Sequence, residues 1–127
     1  MDEEPDEKPT PVIGIVGPCS AGKTTLAGAL RQAGYYARHI AQEHSFAPRM
    51  WQVIGHAQVL IFLDVTYPVS QARRWLDWQP ADWEEQQRRL AHAREHADLY
   101  LHTDDLSIEA VREAAMAFLS TQGRERP

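Results

Sequence analysis

The residues with the clearest chemistry form one run, Gly17-Pro18-Cys19-Ser20-Ala21-Gly22-Lys23-Thr24. Gly17 and Gly22 lack a Cβ and can adopt backbone conformations in which successive loop N–H groups turn inward around an anion. The helix-compatible text LAGALRQA follows, so the unpaired amides from about Lys23 onward, including Thr24 and Thr25, add the positive end of a helix dipole. The Lys23 ammonium suits the β- and γ-phosphates of a nucleoside triphosphate, and the Thr24 hydroxyl suits an accompanying Mg²⁺. Eleven arginines accompany only two lysines, Lys8 and Lys23, so lysine stands where a compact ammonium is chemically wanted.

The spelling is that of a Walker A loop, and its surroundings agree, with the apolar VIGIV before it and a helical run after it. Two acids stand at strand ends where they could orient Mg²⁺ or an attacking hydroxyl. Asp64 closes VLIFLD in the manner of a Walker B acid, and Glu43 follows YYARHIAQ. Either fits, and both are kept.

Two other constellations compete. His92-Ala93-Arg94-Glu95-His96 matches H-x-x-E-H, in which histidines four apart on a helix share a metal and the glutamate is the base. A third ligand would have to come from Glu109 or Glu113, and a solvated helix face explains the string better. Trp51, Trp75, Trp78 and Trp83 can pack lid helices on the core, or else form an aromatic face for a base or for a second copy of the chain, which makes a homodimer conceivable. In SFAPRMW, Arg49 and Trp51 are candidates for contact with an acceptor, by charge and by stacking.

The 127 residues suffice for one core and not for two. Of the net charge of −5, the first ten residues, MDEEPDEKPT, carry −4. The rest is nearly neutral, so no electrostatic case exists for nucleic acid. That tail (1–10) and 121–127 at the other end, which includes QGRERP, are expected to be disordered, leaving 11–120 as the domain. No run is long and apolar enough for a membrane span or a signal peptide, and the single cysteine, Cys19, suits a reducing cytoplasm.

The elements that must position this chemistry alternate. Strands are expected at 12–16, about 35–41, 59–65 and 98–102. Helices are expected from Lys23 to a stop at Gly34, briefly after Pro48, over 70–78, and from Pro80 to about Ala97. A last helix follows a Ser107 cap, with Ile108, Val111, Ala115, Phe118 and Leu119 on one face. The pattern predicts an α/β three-layer sandwich, a short parallel sheet of about four strands with helices on both faces, and a ligand at the carboxyl ends of the strands.

Three stretches, GPCSAGKTTLAGAL, VLIFLDVTYPVSQARR and ADLYLHTDDLSIEAVREAAMAFL, together resemble the small P-loop kinases, the group of nucleoside, nucleotide and shikimate-type kinases. The first is the specific one. QEHS around Glu43 resembles the Glu-Arg-Ser stretch that carries the catalytic acid of deoxynucleoside kinases. The resemblance implies transfer of the γ-phosphoryl group of Mg·ATP to a small, nucleoside- or nucleotide-like acceptor. It implies that the segment of Thr103, Asp104 and Asp105 lies near the adenine, and that lid arginines, here Arg73, Arg74, Arg88 or Arg89, approach the transferred phosphate. The chain departs from that group between the second strand and VLIFLDV, where under twenty residues leave the acceptor-binding insertion and one strand of a five-stranded core absent or merged. A nucleotide-binding switch or assembly module without phosphotransfer is therefore the second expectation.

Overall fold

Val12–Val16 (β1), Tyr36–His39 (β2), Val59–Asp64 (β3) and Leu99–His102 (β4) are the strands of one sheet. Their order is β2-β1-β3-β4 and every pair is parallel. Ile15 lies opposite His39 on one side and Ile61 on the other, so β1 is central and its carboxyl end opens between the ends of β2 and β3. The computed structural model describes residues 11–74 and 79–125, and not the side chains of Arg74 or of 122–125.

Alternation along β3 builds two cores. Ile61 and Leu63 face Leu26, Ala27 and Leu30 of Lys23–Gln32 (α1) and Val111, Ala115 and Leu119 of Ile108–Glu125 (α5). Leu60 and Phe62 face the other way, onto Trp51 of Met50–Val53 (α2) and Leu90 and Ala93 of Pro80–His96 (α4). A strand apolar on both faces is what a sheet covered on both sides requires. The molecule is thus an α/β protein with a four-stranded all-parallel sheet and helices on each face.

Local chemistry fixes the ends. Gly34, at φ 99°, ends the turn after α1. Ser107 Oγ accepts the Ala110 amide at 3.0 Å as the cap of α5. Pro80 opens α4, and the Gln79 amide donates to Asp82 Oδ2 at 3.3 Å. Two side chains imitate a neighbouring strand: Asp98 Oδ2 accepts the Leu60 amide and Gln58 Oε1 accepts the Val12 amide, both at 2.8 Å. Tyr67–Arg74 (α3) joins β3 towards α4.

Several expectations change. Helix α5 runs through Glu125, past the boundary expected at 120 and across Gly123, whose helix penalty of about 1 kcal/mol does not end it. Ile108 is 67% exposed, since it stands in the first turn, beyond the reach of the sheet. Trp51 is buried beneath α4 and is not free to stack on a ligand. Trp83 packs partly buried on the α1/α5 core and meets Tyr67. Trp75 and Trp78 lie outside the described residues. No helix among the described residues is long and apolar enough to cross a membrane.

Candidate functional site

The loop from Gly17 to Gly22 leaves β1 at the carboxyl edge of the sheet. A Cβ on Gly17 would stand 2.0 Å from the Leu63 carbonyl oxygen, and its φ of 151° already disfavours a side chain. Only glycine lets β1 turn so close to β3. Ser20 is left-handed at φ 71° and Gly22 at 97°, two such residues within three positions. Gly22 begins α1 with no side-chain cap. Leu26 makes the first return bond, to Gly22 O at 3.0 Å. The amides of Lys23, Thr24 and Thr25, ahead of it, have no intrahelical acceptor.

Lys23 curls back beneath this loop. Its Nζ donates to Gly17 O at 2.8 Å and Pro18 O at 2.9 Å and meets Glu43 Oε2 at 3.0 Å. Both charged side chains are nearly sequestered, at 6% and 4% exposure. The three protons of the ammonium therefore have three oxygens. Glu43 belongs to a single 3₁₀ turn, Gln42–His44, just past β2. Gln42 pins that turn: its amide nitrogen donates to Ala47 O at 2.8 Å, and its oxygen accepts the Trp51 amide at 2.8 Å. Arg89 of α4 donates to Glu43 O at 3.3 Å while lying 4.1 Å over the Phe46 ring. Glu43 Oε1 is buried and has no hydrogen-bond partner. His39, at the end of β2, is held below the usual imidazole pKa by burial first and then by the Lys23 charge.

Of the two acids, Glu43 is the one brought to Lys23. Asp64 continues the Leu60/Phe62 face of β3 and so points towards α4. Its carboxylate accepts from Arg94 at 3.3 Å, from its neighbour's amide, Val65 N, at 2.9 Å, and from the Tyr100 hydroxyl. Burial and the Asp64 carboxylate push the Tyr100 phenol up to about 12. No hydrogen bond or ion pair among the described residues joins Asp64 to Lys23 or Thr24.

The loop is gripped from outside. Ser70 Oγ donates to Cys19 O at 2.9 Å, and Arg73 Nη1 donates to Ser20 O at 2.9 Å. Gln86 Oε1 accepts the Cys19 amide at 3.2 Å, and its Nε2 donates to Cys19 Sγ at 3.2 Å. Arg73 also reaches Thr103 O at 3.0 Å, clamping the loop to the segment after β4. Beside the clamp opens a cavity of about 220 Å³, lined among others by Ser20, Gly22, Thr25, Arg73, Thr103 and Leu106. The exposed Leu106 and Ile108 form its apolar wall. Asp104 does not line it. Its carboxylate holds Thr66 instead, at 2.9 Å to the amide and 2.7 Å to the hydroxyl. Desolvation there acts to raise the Asp104 pKa, but the Thr66 hydrogen bonds and the His102 and Arg73 charges outweigh it and leave the pKa below the ordinary value.

Of the other arginines, Arg88 pairs with Glu85 at the surface, and the Arg74 side chain lies outside the described residues. Thr24 and Thr25 are exposed on the first turn of α1. In HAREH, His92 Nδ1 accepts the Trp51 indole N–H at 3.1 Å and His96 stacks on it at 4.1 Å. Among the described residues the only converging trio of metal-ligating groups is elsewhere, at Cys19, Glu43 and His44.

Gln86 and Ser70 were not found by sequence reasoning. The trace they left was weak: Gln86 sits one and two turns before Leu90 and Ala93, a polar residue on the apolar stripe of α4. No protein-family model and no curated protein matches this chain.

Proposed function

We propose that this chain is a P-loop protein of the kinase-like kind, binding Mg·ATP at the Gly17–Thr25 loop and transferring its γ-phosphoryl group to a small acceptor. The observation that carries the reading is the enclosure of the Lys23 ammonium, against Gly17 O and Pro18 O, below an uncapped helix N-terminus. Fixed positive charge beneath converging amides is the arrangement a phosphate chain needs. The cavity next to it supports a base at that end: it falls below the ~300–1,000 Å³ of sites for whole drug-sized ligands, and its lining combines Leu26, Leu106, Ile108 and Val111 with the flat Arg73 guanidinium.

Phosphoryl transfer is chiefly positioning and charge stabilisation. Lys23 would exchange a carbonyl or Glu43 for phosphate oxygens. Thr24 and Glu43 would hold Mg²⁺, for which Glu43 Oε1 offers an acceptor with no present partner. The ion would supply charge neutralisation between the β- and γ-phosphates. Arg89, already at the Glu43 backbone, would approach the transferred group in this scheme, and Arg73 would stay with the base.

A second reading, a nucleotide-dependent switch without transfer, draws on the connection between β2 and β3. There only a 3₁₀ turn and the four-residue α2 occupy the place of an acceptor-binding insertion. ADP release from Mg·ATP, measured with a panel of nucleosides, nucleotides, sugars and small acids, separates the two. Turnover that depends on one acceptor and disappears in Lys23→Ala supports the kinase. Saturable ATP binding without acceptor-dependent turnover supports the switch, and absence of binding at millimolar ATP rejects both.

A further inference from the structure

We propose that Cys19 Sγ, His44 Nε2 and the Glu43 carboxylate form a binding site for a zinc-class divalent cation. The ligand atoms of these three residues lie within 4.8 Å of one another. Sγ and Nε2 are 3.9 Å apart, and Nε2 and Glu43 Oε2 are 3.7 Å apart. Around a tetrahedral zinc, with Zn–S near 2.3 Å and Zn–N or Zn–O near 2.0–2.1 Å, such atoms stand about 3.3–3.6 Å apart. The thiol–imidazole and imidazole–carboxylate edges therefore close by only a few tenths of an ångström, and the thiol–carboxylate edge lies within 4.8 Å.

Two features distinguish the site from a chance cluster. Glu43 is buried, and its Oε1 has no hydrogen-bond partner, so the carboxylate keeps an unused acceptor while Oε2, 3.7 Å from His44 Nε2, holds Lys23. Cys19 is fixed by Ser70 on its carbonyl and by Gln86 on both its amide and its sulfur, which sets the direction of the thiol. Outer hydrogen bonds of that kind orient metal ligands. His44, 61% exposed, forms the open side, where the cation arrives and a water completes the coordination.

Thiol and imidazole select against Mg²⁺, which takes oxygen, and favour zinc and its neighbours. Loading deprotonates the thiol, so the bound ion replaces one proton, which passes to solvent, and no redox partner is involved. His44 binds through the Nε2 lone pair with its ring proton on Nδ1. The ion would tie the loop to the turn after β2 and compete with Lys23, and with the Mg²⁺ of the proposed nucleotide complex, for the Glu43 carboxylate. The site itself does not depend on the nucleotide reading.

The test uses the reduced full chain, with a non-thiol reductant and no nucleotide, titrated with Co²⁺ as a spectroscopic probe and then with Zn²⁺. One equivalent of Co²⁺ should produce a sulfur-to-cobalt charge-transfer band, which Zn²⁺ then removes. Zn²⁺ should release about one proton and protect Cys19 from alkylation. Cys19→Ser should abolish the band, His44→Ala should weaken binding at least about tenfold, and His92→Ala should change neither. Because His44 is mostly exposed, its variant reports on the site even if Cys19→Ser folds poorly. Absence of a saturable band in the unaltered protein overturns the proposal. So does undiminished binding in His44→Ala, or loss of binding in His92→Ala, which would move the ion to the His92/His96 pair.

Discussion

The buried Lys23–Glu43 pair can be tested as a unit. At 3.0 Å, two unit charges attract by about 5–6 kcal/mol at an effective dielectric of ~20. Much of that is offset by the cost of removing both from water, so replacing the pair with neutral groups should change stability little. Replacing one partner is different, because it strands the other. Lys23→Met leaves the Glu43 carboxylate buried without its 3.0 Å ammonium partner, and Glu43→Gln leaves the ammonium among carbonyls. Each single change should cost about 3–5 kcal/mol. The double variant should cost clearly less than the sum, with a coupling of at least ~2 kcal/mol, since the two groups share one contact. The assay is urea unfolding at about 10–20 °C, near maximum stability, where a loss of ~4 kcal/mol moves the midpoint by roughly 2 M. Single variants within about 1 kcal/mol of the parent, with additive effects, would refute the reasoning, since the charges would then be solvated and the loop not closed around Lys23.

Other consequences follow from the same geometry. Gly17→Ala drives a methyl into the Leu63 carbonyl and should cost about 3 kcal/mol or more, whereas Gly28→Ala meets nothing within 4 Å. Inside α1 the latter should raise stability by ~0.5–1 kcal/mol; thermal melts of both check the opposite signs. Arg73→Ala opens the clamp between Ser20 and Thr103, and on the proposed nucleotide reading should weaken ATP at least about tenfold while affecting inorganic triphosphate less, by calorimetry. Burial first, and then the His96 and Arg49 charges, hold the His92 pKa below its ordinary 6.5 against the opposing Glu95. Its contribution is therefore complete above the unfolded pKa and is lost as pH falls through the lower, folded pKa, when a proton on Nδ1 breaks the Trp51 bond. Urea midpoints from pH 7.5 to pH 5 should decline less steeply in His92→Gln, and an unchanged slope would remove His92 from the cause.

Much of this protein was legible along the chain. The continuous apolar run of β3 announced a strand covered on both faces, Pro80 and Ser107 marked the helix starts, and the glycine spacing before Lys23 marked the tight loop; each is a property of neighbours in sequence. What tertiary structure alone decided was which side chains meet. Glu43 and Asp64 read alike as acids at strand ends, yet the parity of β3 sends Asp64 to Arg94 and Tyr100, and the turn after β2 sends Glu43 to Lys23. Asp104 and Thr103 are adjacent, but only Thr103 faces the cavity. The grip of Ser70 and Gln86 on Cys19 spans 51 and 67 residues. Periodicity and turn chemistry act over a few residues and so are written locally, whereas contacts at such separations depend on sheet order and on the direction each strand end gives its last side chain.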